Sequence, residues 1–249
     1  MHIKSRRLIL SVLFILCLSF QASAWNPMVV VSGGGSTPPD CSEDFAAGDT
    51  GDVASATDFD SETDGDSKLD IYSNELRFYA DTPATYGSVN ETGCLSNSTE
   101  FTIKFTIRFE DITSVGDGND PLPVVQVRDS DSNVAVFQIL TDESGNIFRY
   151  RACRGDVTEC GPEVTMTGLA ADTDYPAYFY YKEDATIGEV AGKIGSWDED
   201  STGNDDNSAD DGVSYVRFGC TENHGLGGGA TDTYIYFDDF EIYSGDQMP

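Results

Sequence analysis

Positive charge is scarce in this chain. Lys and Arg number 14 against 44 Asp and Glu over 249 residues. Three of the 14, Lys4, Arg6 and Arg7, sit in an N-terminal leader, so the remainder holds 11 cations and a net charge of −33. A surface of that sign repels phosphate backbones and anionic headgroups, which argues against nucleic acid and against membrane insertion or adsorption. Histidine is scarcer still. Beyond the leader only His224 remains, and no Cys-x-x-Cys pair occurs, so zinc lacks a ligand set. No amphipathic helical window of ten residues exists outside the leader, which excludes a helical bundle. A second apolar run of the roughly 20 residues needed to span a bilayer is also missing.

The leader itself, residues 1–24, has the parts of an export signal. His2, Lys4, Arg6 and Arg7 precede the apolar stretch Leu8–Phe20, and Ala22-Ser23-Ala24 supplies an A-x-A cleavage site. Cys17 follows bulky Ile15 and Leu16, whereas a lipid-anchoring cleavage needs small residues there. The expected location is therefore secreted, extracellular or on the cell surface. Next comes an isolated β-forming run, residues 25–31, Trp25-Asn26-Pro27-Met28-Val29-Val30-Val31. A flexible linker, residues 32–39, separates it from the domain at 40–249. Extended, eight linker residues reach about 26–29 Å. Met28, Val29, Val30 and Val31 can thus either fold back as an edge strand or cross to a neighbour as an assembly strand.

Within the domain, period two dominates. Phe101, Ile103, Phe105, Ile107 and Phe109 alternate with Thr102, Lys104, Thr106 and Arg108, a pattern that a helix cannot place on one face. Tyr234, Tyr236, Asp238 and Phe240 alternate likewise with Ile235, Phe237, Asp239 and Glu241. Between these runs, 122–128, 134–140, 146–153, 163–167, 175–182, 187–194 and 213–219 have strand length and turn-forming borders. Residues 69–72 and 75–79 form a hairpin about Ser73-Asn74. Roughly a dozen such strands predict an all-β fold, a two-sheet antiparallel jelly-roll sandwich with a detached N-terminal strand. Asp outnumbers Glu 30 to 14, which places the acid load on turns and loops.

Three short stretches resemble the concanavalin A-like, laminin-G-like sandwich family. Cys41-Ser42-Glu43-Asp44-Phe45 is similar to its first strand, residues 69–78 to its early hairpin, and residues 236–243 to its closing strand. The resemblance spans residues 41–245 and implies the same fold. It also implies a structural Ca²⁺ near the terminal strands, at Asp44, Asp238 or Asp239. Glucanases of this fold carry Glu-x-Asp-x-x-Glu, which is absent here. Alginate lyases of this fold carry Arg-x-Glu-Leu-Arg, Gln-x-His and a Tyr. Asn74-Glu75-Leu76-Arg77 matches a fragment of the first, but neither Gln126 nor Gln138 has a His two residues on. A catalytic role is not expected, and a degenerate polysaccharide lyase or glucanase stands as a third reading behind the two given below.

Several other residues invite a function, and each has a plainer reading. Asp60, Glu62, Asp64 and Asp66 alternate around Gly65, like the start of a calcium-binding loop, yet position twelve is Ile71 and no helices flank it. They are otherwise solvated loop acids. Trp197 opens a polar insertion running to Gly212. It can stack on a sugar ring while Asp198 and Asp200 accept hydroxyl hydrogen bonds, or it can pin its loop to the sheet. Five cysteines follow the leader; Cys153 and Cys160 flank a short loop and suit a local disulfide, while Cys41, Cys94 and Cys220 cannot all pair within one chain. Arg154-Gly155-Asp156 has the form of a receptor tripeptide, and Asn90 and Asn97 open glycosylation sequons on an expected loop. His224 has no partner motif.

Two functions follow. The first is a non-catalytic structural or adhesive subunit of an extracellular assembly, binding copies of itself through Met28–Val31. The alternative is a secreted, lectin-like module that binds an extracellular glycan, with Ca²⁺ as a structural ion.

Overall fold

The computed structural model describes residues 38–45, 53, 57, 59–64, 69–80, 87–95, 98–112, 122–129, 133–141, 148–155, 159–203, 213–220 and 233–249. Met28–Val31, Asp66, Asn97, Asp156 and His224 lie outside them. Sheet I holds β1 (Cys41–Glu43), β3 (Leu69–Tyr72), β4 (Glu75–Ala80), β6 (Glu100–Phe109), β12 (Tyr175–Lys182), β13 (Glu189–Ile194), β14 (Asp200–Ser201) and β16 (Thr233–Ser244). Sheet II holds β2 (Ser61–Asp64), β5 (Gly87–Glu91), β7 (Leu122–Arg128), β8 (Asn133–Thr141), β9 (Phe148–Arg154), β10 (Glu159–Cys160), β11 (Val164–Thr165) and β15 (Tyr215–Cys220). Their orders are β14-β13-β12-β6-β16-β4-β3 with β1 on β16, and β10-β9-β8-β7-β15-β5-β2 with β11 on β9. Every described pairing is antiparallel.

The alternation of β6 reads directly into the structure. Phe101, Ile103, Phe105, Ile107 and Phe109 are all buried, facing a single core between the sheets. Ring pairs stitch the layers together: Phe105 with Phe218 at 4.9 Å, Phe109 with Phe148 at 5.2 Å, and Phe137 with Phe179 at 5.8 Å. Each pair joins a sheet I strand to a sheet II strand, as an aligned sandwich requires. Beneath Phe137 lies Gly192, where an added Cβ would sit 2.3 Å from the ring. Ser73 and Asn74 have φ of 55° and 69°, the left-handed pair of a two-residue hairpin turn that keeps β3 and β4 in register.

Four elements depart from the sequence reading. In β16 the register slips between Asp238 and Glu241, with Asp239 at φ 50°. The bulge inserts a residue and reverses the faces, so Phe240 joins the core instead of lying beside Tyr236. Ser61–Asp64 is strand β2 rather than a calcium loop, because its backbone pairs with β5. Gly87–Glu91 is a strand rather than a loop, and it places Asn90 between β2 and β15. Asp200–Ser201 adds a short edge strand inside the predicted polar insertion.

Among the described residues two disulfides are present, as an oxidising compartment allows. Cys153 and Cys160 are directly paired across β9 and β10, Cα atoms 3.9 Å apart. Cys41 on β1 joins Cys94 in the 3-10 turn Gly93–Leu95.

Candidate functional site: the outer face of sheet II

Alternation fixes which side chains leave the core. Val216 and Phe218 of β15 are buried in it, so Tyr215 and Arg217 point outward. The same parity sends Asn90 of β5, Gln126 and Arg128 of β7, Gln138 of β8, and Arg149 and Arg151 of β9 to that outer face. Strand pairing then aligns them. Asn90 lies opposite Arg217, Arg217 opposite Gln126, Gln126 opposite Val136, and Val136 opposite Cys153. One row therefore crosses five strands. Beside it run Arg128 opposite Tyr215, Gln138 opposite Arg151, and Leu140 opposite Arg149.

Four guanidinium groups and two fully buried amides share this face. That is a large part of the 11 cations beyond the leader. Their mutual contacts set orientation. Arg151 Nε donates to Gln138 Oε1 at 2.9 Å, and Cys153 Sγ lies 3.7 Å from the same oxygen. Arg128 Nη1 donates to Asn133 Oδ1 at 2.7 Å. The Arg217 and Arg128 guanidiniums lie 5.6 and 5.9 Å from the Tyr215 ring. Glu163, just before β11, meets both Arg149 and Arg151, the latter at 3.6 Å.

Hydrogen-bonding capacity is left over. Among the described residues, Gln138 Nε2, Arg149 Nε, Arg217 Nε and Asn90 Oδ1 are buried atoms without a hydrogen-bond partner. Buried donors without protein partners are rare in folded proteins and are commonly completed by ordered water. The planar fork of Arg matches carboxylate or sulfate in a bidentate way.

The outer face of sheet I contrasts with this. Arg77 sits between the Tyr72 and Tyr234 rings at 4.1 and 4.3 Å and bonds Asp70 at 2.6 Å. Arg108 lies 3.8 Å from the Tyr236 ring and meets Glu75, Asp174 at 3.3 Å and Asp172 at 3.5 Å. Lys104 pairs with Glu241. This face completes its own charges. Glu75 and Arg77, the lyase-like fragment, thus lie on the opposite sheet from Gln126 and Gln138 and form no common site with them.

The other predicted residues are scattered. Asp60 accepts hydrogen bonds from the Thr92 amide at 2.7 Å and from its hydroxyl, which hold its carboxyl below the usual range. Asp238 is raised to about 6, mainly by burial, with Asp239, Glu75 and Asp174 adding repulsion. Among the described residues one group, Cys41, Glu91 and Cys94, brings three metal-capable atoms together, and two of them form a disulfide. Asp44, Asp60, Glu62, Asp238 and Asp239 are not gathered into a calcium-like set. Trp197 is half-buried: its Nε1 donates to Thr167 O at 3.1 Å, and its ring lies 5.2 Å from Tyr175. Asp198 is exposed at its side. Asp200 is fully buried, accepting the Ala152 amide at 2.5 Å, so it cannot meet a sugar as the sequence reading had it. Arg154 is nearly buried and paired with Glu159, so it does not present a receptor tripeptide. Asn90 lies in strand β5 rather than on the expected loop, its amide donating to Ser61 Oγ at 2.9 Å.

Sequence reasoning missed the arginine face. Gln126-Val127-Arg128 and Arg149-Tyr150-Arg151 each show the needed alternation, but nothing local says that they are neighbours.

No protein-family model and no curated protein matches the sequence. Solved structures match at the level of fold. An endo-beta-1,4-glucuronan lyase from the fungus Trichoderma reesei aligns with a TM-score of 0.52 at 12% identity, covering 83% of this chain and 95% of that one. The fold is the concanavalin A-like sandwich. A botulinum neurotoxin serotype C1 binding domain aligns at 0.49 with 14% identity over 76% of this chain. An alginate lyase, vAL-1 from Chlorella virus, aligns at 0.47 with 12% identity, covering 71% of this chain and 88% of that one. The chain spans less than half, 44%, of the neurotoxin chain. At these identities the matches speak to the fold alone.

Proposed function

We propose that this protein is a secreted, lectin-like carbohydrate-binding sandwich whose outer sheet II face holds an acidic polysaccharide. One observation carries the reading: four partly exposed arginines, Arg128, Arg149, Arg151 and Arg217, aligned on one sheet face of a chain that is otherwise strongly anionic. The arginines, each partly exposed, supply forks for carboxylates, and the fully buried Gln138 holds Arg151 in orientation from beneath. The surrounding negative charge opposes adsorption of polyanions elsewhere, so binding is confined to this face. The fold shared with a glucuronan lyase supports a saccharide ligand as analogy only.

Holding rather than cleaving is the favoured activity. Gln126 is followed on its face by Arg128, a permanent cation, where a proton-transferring group would need a pKa near the working pH. Assembly through Met28–Val31 rests on residues outside the described structure, and no contact among the described ones favours it.

Titration calorimetry with a polyuronate tests the reading. Arg217→Ala and Arg151→Ala should each weaken binding by about tenfold or more, the size of a charge-assisted contact, with circular dichroism unchanged. Unaltered affinity in both would overturn it. Release of reducing ends during prolonged incubation would instead make the protein an enzyme.

A further inference from the structure

Beside the arginine face lies a cavity of about 650 Å³, bordered by Trp197, Asp198, Glu199, Glu163, Thr165 and Thr167. It is contiguous with that face, because Glu163 both lines the cavity and bonds Arg149 and Arg151. Thr165 is cross-strand from Arg149, on the same side of the sheet. Its indole is held in place before any ligand arrives. Nε1 bonds the Thr167 carbonyl at 3.1 Å, Tyr175 packs at 5.2 Å, and the space where Gly195 would carry a Cβ is 3.1 Å from the ring. Gly195 itself has φ of 56°, so its lack of a side chain serves both the turn and the close approach. The Tyr150 hydroxyl donates to the Asp198 carbonyl, tying this loop to β9.

A rigid aromatic ring with flanking polar groups is suited to stacking against a pyranose. The sign of its rim decides which pyranose. Glu163, Asp198 and Glu199 repel a uronate but accept hydrogen bonds from hydroxyls. We propose that the Trp197 cavity is a second saccharide subsite, one that seats an uncharged hexose next to the anionic unit on the arginine face. The preferred polymer then alternates uronate with neutral hexose, rather than being a pure polyuronate. This inference rests on the carbohydrate-binding reading above.

The test compares two tetrasaccharides by calorimetry, one of uronate alone and one alternating uronate with uncharged hexose. The alternating form should bind about threefold to tenfold tighter, the size of one aromatic stacking contact. Trp197→Ala should abolish that difference while leaving affinity for the pure uronate form unchanged. Because Trp197 also packs on Tyr175, a second variant guards against unfolding. Asp198→Lys alters an exposed side chain, and it should erase the difference by tightening the pure uronate form. Equal binding of both sugars to the unaltered protein, or equal weakening of both by Trp197→Ala, would overturn the subsite alone. If neither sugar binds at all, the arginine-face reading fails and takes the subsite with it. Tighter binding of a form whose hexose carries a free amine would overturn the uncharged ring in favour of a cationic one.

Discussion

At the residue scale, Asp200 shows how one buried carboxylate constrains its surroundings. Its Oδ2 caps the Ala152 amide across the two sheets, while Oδ1 has no partner among the described residues. Burial pushes its carboxyl up to about 6, against the Ala152 amide and Arg151, which favour the charged form. A carboxyl raised from 3.8 to about 6 binds its proton more tightly folded than unfolded. Its contribution is therefore fully present below pH 3.8 and is lost as pH rises through 6. Asp200→Asn retains an acceptor for Ala152 and removes the charge. Thermal melts should show the variant more stable than the parent at pH 8, by about 1–3 kcal/mol, and indistinguishable from it at pH 3.5. Equal destabilisation at both values would mean that the carboxylate is needed for structure. Gly192 offers a steric counterpart. A methyl there meets the Phe137 ring at 2.3 Å, so Gly192→Ala should destabilise by about 1–3 kcal/mol in denaturant titrations with the m-value unchanged.

At the element scale, the β9–β10 hairpin orders the arginine face. Its Cys153–Cys160 disulfide lies beside Gln138, whose carbonyl orients Arg151. Gly161, just beyond Cys160, donates to the Ala152 carbonyl at 2.9 Å and leaves room for Asp200. The closed loop is short, so loss of the bridge should lower stability by about 2–3 kcal/mol. The double change Cys153→Ser and Cys160→Ser should also weaken polyuronate binding, since Arg151 loses a rigid neighbour. Affinity unchanged in a destabilised but folded variant would assign the bridge to stability alone. The β16 bulge acts differently. By turning Phe240 inward it lets one strand serve the core along its whole length, while Glu241 and Tyr243 stay outside with Lys104.

At the scale of the whole molecule, two sheets share one core but carry unlike outer faces. On sheet I Arg77, Lys104 and Arg108 each meet a carboxylate, whereas sheet II gathers Arg128, Arg149, Arg151 and Arg217 on one face. Strand existence was legible from alternation: 122–128 and 175–182 match β7 and β12 residue for residue. The Ser73-Asn74 turn was legible for the same local reason, as was the Cys153–Cys160 pair. Two of the strands missed, β2 and β5, are rich in Ser, Asn, Asp, Glu and Gly, residues that resemble a loop until a neighbouring strand pairs with them. Asp60, Glu62 and Asp64 looked like cation ligands because alternate acids are common to calcium loops and to extended chain.

What the amino-acid order determined alone is whatever depends on near neighbours: a two-residue period, turn chemistry, a local disulfide and the sign of the surface. These follow from sterics and solvation over a few bonds. The tertiary structure decided which strands adjoin and which of their sides faces outward. Asn90, Gln126, Arg151 and Arg217 are far apart in the chain, and only antiparallel pairing through β5, β15, β7, β8 and β9 brings them to one face. Such register is set by burial of Phe and Val on the opposite side, a cooperative property of the whole core that no single stretch carries.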